Sequence, residues 1–362
     1  MMKVKIVCYE DVDKWILGKF AKKLNETLIK LNVHSEIGKK VDPVADINHH
    51  IIYYDFNGEK STIDTLMITH IDSNAKLELV KRQLKIAKLG ICMSRDTMNK
   101  LSIMGVPRNK LCFVNPAHDF EIKPKQIVIG ITSKVQESGC KRETMLLDLV
   151  QKVDPRLFEF RIMGKGWDHI VSTLKNLGFT VQYYNDFDYG EYVKLIPSLD
   201  YYLYLGEDEG SMGFIDALAA GVKTIVTPQG YHLDAQGGIT YQFNNINELI
   251  QIFKSISIEK TNLIQSVSSW NWHNYTKKHL EIWKYLLEKE KEHKKSFFVS
   301  EFKDGINSLQ EFDLTVVNQT NHLSRIKLKI KLMIGTIKTK YYSSEKLKSI
   351  RKIVSSVKIF LF

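Results

Sequence analysis

Short apolar runs alternate along this chain with stretches whose apolar positions recur every three or four residues. Val4 to Tyr9 is β-rich, and between Trp15 and Leu31 the residues Ile16, Phe20, Leu24 and Leu28 share one helix face. Ile51 to Tyr54 and Thr65 to Thr69 read as strands. Leu77 to Leu89 reads as a basic amphipathic helix that Gly90 ends, Ile91 to Ser94 as a strand, Asp96 to Met104 as a helix, and Leu111 to Asn115 as a strand closed by Pro116. The pattern restarts after a linker at 121–126. Strands are predicted at Ile127–Thr132, Phe158–Met163, Thr180–Tyr183 and Tyr201–Leu205, with helices at Glu143–Val150, His169–Leu177 and Tyr189–Ile196 between them. A glycine- and acid-rich loop leads into a helix from Met212 to Ala220. Gly221 stops that helix, and the strand Val222–Thr227 follows, closed by Pro228.

This alternation predicts an α/β fold of mostly parallel, doubly wound sheets. The expected domains are 1–120 and 121–274, followed by a helix over 275–295 with Leu280, Trp283 and Leu287 as its stripe, and a tail over 296–362. In the tail, Ile326 to Leu332 alternates as a strand would. Over a longer window Ile326, Ile330, Met333 and Ile337 share a helical face, and helix is the preferred reading.

The segment Gly206 to Gly221 carries the most chemistry. It runs from a strand end through Glu207, Asp208 and Glu209 into a small-residue helix that Ser211 is placed to cap. Free N–H groups in the first helical turn attract phosphate, and Gly210 and Gly213 let the backbone approach a ligand closely. Acids beside a phosphate site make sense if the ligand also carries hydroxyls, because a carboxylate accepts two hydrogen bonds from a diol.

Composition narrows the class. The chain has 362 residues, 44% hydrophobic and 26% charged, which fits a globular protein and excludes a disordered or multispan membrane chain. Cys8, Cys92, Cys112 and Cys140 form no CxxC pair, which fits a reducing compartment. Of the formal net charge of +11, residues 322–362 carry +10, from eleven Lys and Arg against Glu345 alone. These bases are interleaved with Ile and Leu, which favours an anionic membrane surface as the tail's partner. Nucleic acid gains nothing from apolar residues and is not expected; a solvated helical appendage is the bland alternative. The start shows no signal-peptide core and no apolar run approaches a membrane span, so the expected location is cytoplasmic, peripheral at the inner face of the cell membrane.

The stretch from residue 200 to 226 resembles the retaining glycosyltransferases of family four, which have the two-domain GT-B fold. Asp200 stands nine residues before Glu209, and Ala219-Ala220-Gly221 followed by Val222 to Val226 matches the family's helix end and next strand. The likeness extends over about 91–285, including the Gly105-Val106-Pro107 break and the helix after Trp270. The chain departs from the family in having six residues rather than seven between Glu209 and Asp216, with Asp in the second place; counting from Asp208 restores seven. The family's glycine-rich loop after the first strand is missing, and Glu10 to Leu17 stands in its place.

The resemblance implies two Rossmann-like domains facing across a cleft, an N-terminal acceptor domain and a C-terminal donor domain, to which the charge and spacing read above add a basic C-terminal helical tail. It implies transfer of a sugar from a nucleotide-sugar donor to a glycan or lipid-linked acceptor, with retention, no metal and no cofactor. Asp216 would bind the ribose, Glu209 the transferred sugar, and Lys134 and Lys141 the diphosphate. Gly164 and Gly166 would border the nucleotide, with Gly210, Ser211, Met212 and Gly213 at the helix start. His70, after a first-domain strand, would orient the sugar or the acceptor hydroxyl. Each assignment has a plainer alternative. The helix Gly213–Gly221 could simply pack on the sheet, Lys134 and Lys141 could be solvated loop residues with Arg142 a rival, and Gln229 to His232 could be a simple turn. His49-His50 lacks metal-ligand partners and reads as a surface or strand-end pair. An inverting enzyme, or a non-catalytic module binding glycan or nucleic acid, is the competing class.

Overall fold

The computed structural model describes residues 2–58, 61 and 63–292. The tail expectations for 296–362, including its membrane-facing stretch 322–362, lie outside the described residues. The chain divides into two compact units. One begins at Met1, runs to Phe120 and resumes at Ser269; the other is Glu121–Ser268.

The first unit is built from β1 (Lys3–Val7), α1 (Ile16–Lys30), β2 (His34–Gly38), β3 (Ile47–His50), β4 (Asp64–Ile68), α2 (Asn74–Ile86), β5 (Leu89–Cys92), α3 (Arg95–Ile103) and β6 (Leu111–Phe113). The strands form one parallel sheet in the order β2-β1-β3-β4-β5-β6. Helices cover both faces of such a sheet, so its central strands are buried throughout and need no polar alternation. β4 and β5 show this, with every residue buried.

The first unit departs from the sequence expectations at three places. The strand predicted at Ile51–Tyr54 is β3, at Ile47–His50, and Tyr53–Asp55 is a 3₁₀ turn. β3 escapes an apolar search because it reads Ile-Asn-His-His, yet all four residues are buried. Asn48 and one ring nitrogen of each histidine find partners, while His49 Nε2 and His50 Nδ1 are buried without one among the described residues. Asn48 exchanges hydrogen bonds with the Asp42 backbone at 2.8 and 3.0 Å, His49 Nδ1 meets Thr65 Oγ1 at 2.9 Å, and His50 Nε2 meets Asp64 Oδ1 at 2.9 Å. His49-His50 therefore stands at a strand end, as one of the two expectations had it, but in the core and not on the surface. Gly90 does not end a helix either. α2 stops at Ile86, and Gly90 lies within β5, where a Cβ would fall 2.5 Å from the Ile68 side chain.

The second unit contains β7 (Ile127–Thr132), α4 (Thr144–Val150), β8 (Phe158–Met163), α5 (Asp168–Asn176), β9 (Thr180–Tyr184), α6 (Tyr189–Leu195), β10 (Tyr201–Tyr204), α7 (Met212–Ala219), β11 (Lys223–Val226), β12 (Tyr241–Gln242) and α8 (Ile246–Gln265). Its sheet is also parallel, in the order β12-β11-β10-β7-β8-β9. The chain then returns to the first unit through α9 (Trp272–Glu292). Trp272, Tyr275, Leu280, Trp283 and Leu286 of α9 bury against Phe20, Leu24 and the β1, β3 and β4 strands. The boundary therefore falls at Ser268, ahead of the 274 expected from the pattern. Among the described residues no helix is long and apolar enough to cross a membrane.

Candidate functional site

In the second sheet the chain starts at β7, moves outward through β8 and β9, and returns to β10 on the other side. The strand order thus switches direction between β7 and β10, where open α/β sheets bind ligands beyond their carboxyl ends. A pocket of about 580 Å³ lies there, within the ~300–1,000 Å³ of ordinary ligand pockets. Its walls are the β7 exit (Thr132 to Lys134), the β8 exit (Met163 to Lys165), the β9–α6 loop with Tyr189 and Tyr192, and the start of α7 with Asp216.

Local packing explains the glycines. Gly164 adopts φ +139°, and a Cβ there would lie 2.1 Å from the Ser133 carbonyl, so the β8 exit presses directly on the β7 exit. The Val135 N–H donates to the Lys165 carbonyl at 2.9 Å, and Trp167 Nε1–H to the Ser133 carbonyl at 2.7 Å, fixing both loops. Gly213 packs so closely on the sheet that a Cβ would sit 2.3 Å from Thr132 Oγ1 and 2.4 Å from the Tyr202 hydroxyl.

Ser211 stands at the N-cap of α7 but does not cap it. Its hydroxyl pairs with the Tyr202 hydroxyl at 2.6 Å, and Tyr202 in turn meets Thr132 Oγ1 at 3.0 Å. The buried phenol competes for the hydroxyl and wins. α7 thus begins without a side-chain cap and with no acid in its first turn. Uncapped, the positive end of its dipole faces the pocket.

Two lysines face the pocket. Lys134 is exposed and pairs with no side chain among the described residues, while Lys165 bridges to Asp186 at 3.0 Å. Lys165 is the cation that the sequence reading passed over, although it sits between Gly164 and Gly166. Asp216 accepts the Tyr192 hydroxyl at 2.5 Å through Oδ2. Burial, then the bond and charge of Asp216, pushes the Tyr192 phenol well above its ordinary value. Phe187 and Tyr189 present exposed rings, 61% and 72% accessible, and Phe187 contacts Tyr192 at 5.3 Å between centroids.

Of the predicted residues, Lys134, Gly164, Ser211, Met212, Gly213 and Asp216 meet at this pocket. Lys141 does not line it. Its ammonium bonds to Asp208 and, at 2.6 Å, to the Tyr204 hydroxyl. Burial acts to raise the Asp208 carboxyl, but the bonds from Lys141, Tyr204 and the Gly210 N–H outweigh it, and the pKa ends below the ordinary range. Arg142 likewise braces the loop, bonding the Leu205 carbonyl and Thr227 Oγ1 at 2.6 Å each and Glu207 at 2.7 Å. Glu209 is exposed, and its carboxylate makes no bond among the described residues. Gly210 has φ +123° at the turn into α7, and Gly166 has φ +90° with Val135 beside it. His70 belongs to the first unit, 75% exposed after β4, with Lys76 Nζ at 3.4 Å and Asp72 at 3.6 Å.

Gln229 to His232 is more than a simple turn. Gln229 Nε2–H donates to the Gly206 carbonyl at 2.7 Å and its Oε1 accepts the Asp208 N–H at 3.1 Å, so this segment holds the acidic loop. Among the described residues no group of three or more His, Cys, Asp or Glu is arranged to hold a metal ion.

No protein-family model matches the sequence, and no curated protein does. Among solved structures, the chain is similar to the apo form of the lipopolysaccharide outer core galactosyltransferase WaaB, at 12% identity and TM-score 0.32, covering 76% of this chain and 97% of that one. It is similar to HepE of Anabaena in complex with UDP-glucose, at 12% identity and TM-score 0.31, covering 81% and 100%. A third is WaaG, a glycosyltransferase involved in lipopolysaccharide biosynthesis, at 11% identity and TM-score 0.31, covering 77% and 99%.

Proposed function

We propose that this chain is a nucleotide-sugar-dependent glycosyltransferase whose second unit binds the donor and whose first unit binds the acceptor, a glycan or lipid-linked sugar. One observation carries the reading. A single pocket at the switch point of the second sheet joins an uncapped helix start, two lysines, exposed aromatic rings and a carboxylate. Those are the complements of a diphosphate, a base and a ribose diol. When a glycosidic bond to a nucleoside diphosphate breaks, negative charge grows on the leaving group, and fixed cations and N–H dipoles lower that barrier. Lys134, Lys165 and the α7 N–H groups take this role. Asp216, its Oδ2 held by Tyr192, offers Oδ1 to the ribose. The ring of Phe187 or Tyr189 covers the base, and Glu209 receives the hydroxyls of the transferred sugar.

On this reading the sugar is transferred with retention and without a cofactor beyond the nucleotide sugar. The basic tail at 322–362 brings the enzyme to an anionic membrane at the inner face of the cell. A panel of UDP-, GDP- and ADP-sugars tested by thermal shift checks the donor pocket, because a ligand that binds only the folded state raises the melting temperature. One of these sugars raises it and is slowly hydrolysed. If none shifts the transition and none is turned over, the proposal is wrong.

A further inference from the structure

His232 closes the 3₁₀ turn Gly230–His232 after β11, and its side chain is fully buried. Its Nε2 accepts the Ser211 backbone N–H at 3.0 Å, and its Nδ1–H donates to the Thr227 carbonyl at 3.0 Å. Those partners set the tautomer, since an N–H needs a bare Nε2 opposite it and a carbonyl needs a proton on Nδ1. The ring packs on Phe214 with centroids 4.2 Å apart, and Gly210 comes so close that a Cβ would lie 2.9 Å from it. The imidazole therefore sits beneath the turn by which the acidic loop enters α7. Nothing within that turn replaces it, because the Ser211 hydroxyl is already committed to Tyr202.

We propose that neutral His232 is a positioning residue: it holds the Gly210–Ser211 turn so that the first N–H groups of α7 present to the pocket, and its protonation releases them. The chemistry is one of donors and acceptors. A proton on Nε2 would set an N–H against the Ser211 N–H, turning a hydrogen bond into a repulsion inside the core. Burial keeps the ring neutral below the ordinary 6.5, partly opposed by the Thr227 carbonyl and the Asp208 charge. The titratable groups facing the ring are Asp208 from the β10 loop, itself tied to Lys141, Tyr204 on β10 at 5.6 Å and Tyr231 of its own turn at 5.5 Å. Anion binding at α7 thus weakens with acid, although among the described residues no histidine lines the pocket. The positioning role stands on these contacts; only the identity of the anion rests on the donor-pocket reading.

Two readouts separate the claims. Hydrogen exchange at Ser211 and Met212, corrected for the intrinsic rate, needs no ligand. It accelerates in the wild type as pH falls below 6.5 and is fast at every pH in His232→Phe. In His232→Gln, whose Oε1 accepts the same N–H without titrating, it stays slow and flat. Exchange that is equally slow in His232→Phe, or flat with pH in the wild type, overturns the inference. Calorimetry with UDP, GDP and ADP supplies the second readout. The tightest binder weakens about tenfold in His232→Phe at pH 7.5, and His232→Gln restores most of its affinity and abolishes the acid dependence. If no nucleotide binds while exchange behaves as described, the positioning role stands and the donor reading falls.

Discussion

At the scale of single residues, the pocket depends on two side chains that do little for the fold. Lys134 is exposed and unpaired among the described residues, and Asp216 is half-buried with one neighbour on Oδ2. Lys134→Ala and Asp216→Asn should therefore leave the melting temperature nearly unchanged. Each should weaken nucleoside diphosphate binding about ten- to a hundredfold, the range of one charge-assisted hydrogen bond at ~1.5–3 kcal/mol. Calorimetry on the folded variants checks this, and unchanged affinity in both would remove them from the site. Glu209→Ala should act differently, with nucleotide sugar binding falling while binding of the bare nucleoside diphosphate holds. Equal losses for the two ligands would mean Glu209 does not meet the sugar. Much of this site was legible, because helix starts, glycines and lysines after strands carry local signals. Lys141 lies away from the pocket for a physical reason. Its charge is absorbed by Asp208 and Tyr204, 67 and 63 residues away in sequence, and no spacing rule reports such a pairing. The same holds for His232, whose bond to Ser211 spans 21 residues between two loops.

At the scale of elements, α9 shows how a helix distant in sequence completes a core. Trp283 is fully buried and its Nε1–H donates to Thr65 Oγ1 at 3.3 Å. Trp283→Ala should cost about 3–5 kcal/mol, the usual penalty for emptying a large aromatic site, seen as a lower denaturant midpoint. Beside it, His279 contacts His49 with centroids 5.1 Å apart, both fully buried and without an acid partner. Burial lowers the pKa of His279 to about 4, and burial together with the neighbouring His279 and His50 holds His49 well below 6.5. The sign follows from linkage. Above pH 6.5 both states are neutral at these sites and the full stability is present; below it the unfolded chain takes up protons that the folded one refuses. Stability should thus fall between pH 6.5 and 4, by on the order of 3 kcal/mol for His279 alone. Urea midpoints at pH 7 and 5 test this, and His279→Leu should lose much of the difference. Identical wild-type midpoints would contradict it. Strands such as β4 and β5 were easy to find because burial on both faces leaves an apolar run. β3 was not, since its burial is achieved by pairing Asn48, His49 and His50 with partners that only the folded sheet supplies.

At the scale of the whole molecule, charge and fold are separate. The restart of the strand–helix pattern after residue 121 announces the second unit, and the division at Glu121 follows it. The formal charge of +11 belongs almost wholly to residues 322–362, beyond the described residues, so the remainder of the chain is nearly neutral. A nearly neutral body has little attraction for an anionic surface, whereas each Lys or Arg near an anionic leaflet contributes about 1 kcal/mol. The apolar residues between those bases add burial that free nucleic acid cannot reward. The full chain should therefore sediment with vesicles containing phosphatidylglycerol and much less with phosphatidylcholine alone, and rising salt should release part of it. A chain ending at Lys295 should stay in the supernatant and still show whatever thermal shift a nucleotide sugar gives the full chain. If that shorter chain sediments as well as the full one, the membrane contact lies in the two α/β units and not in the tail. If the full chain instead ignores anionic vesicles but holds DNA at physiological salt, the tail's apolar residues have another use and its partner is a nucleic acid.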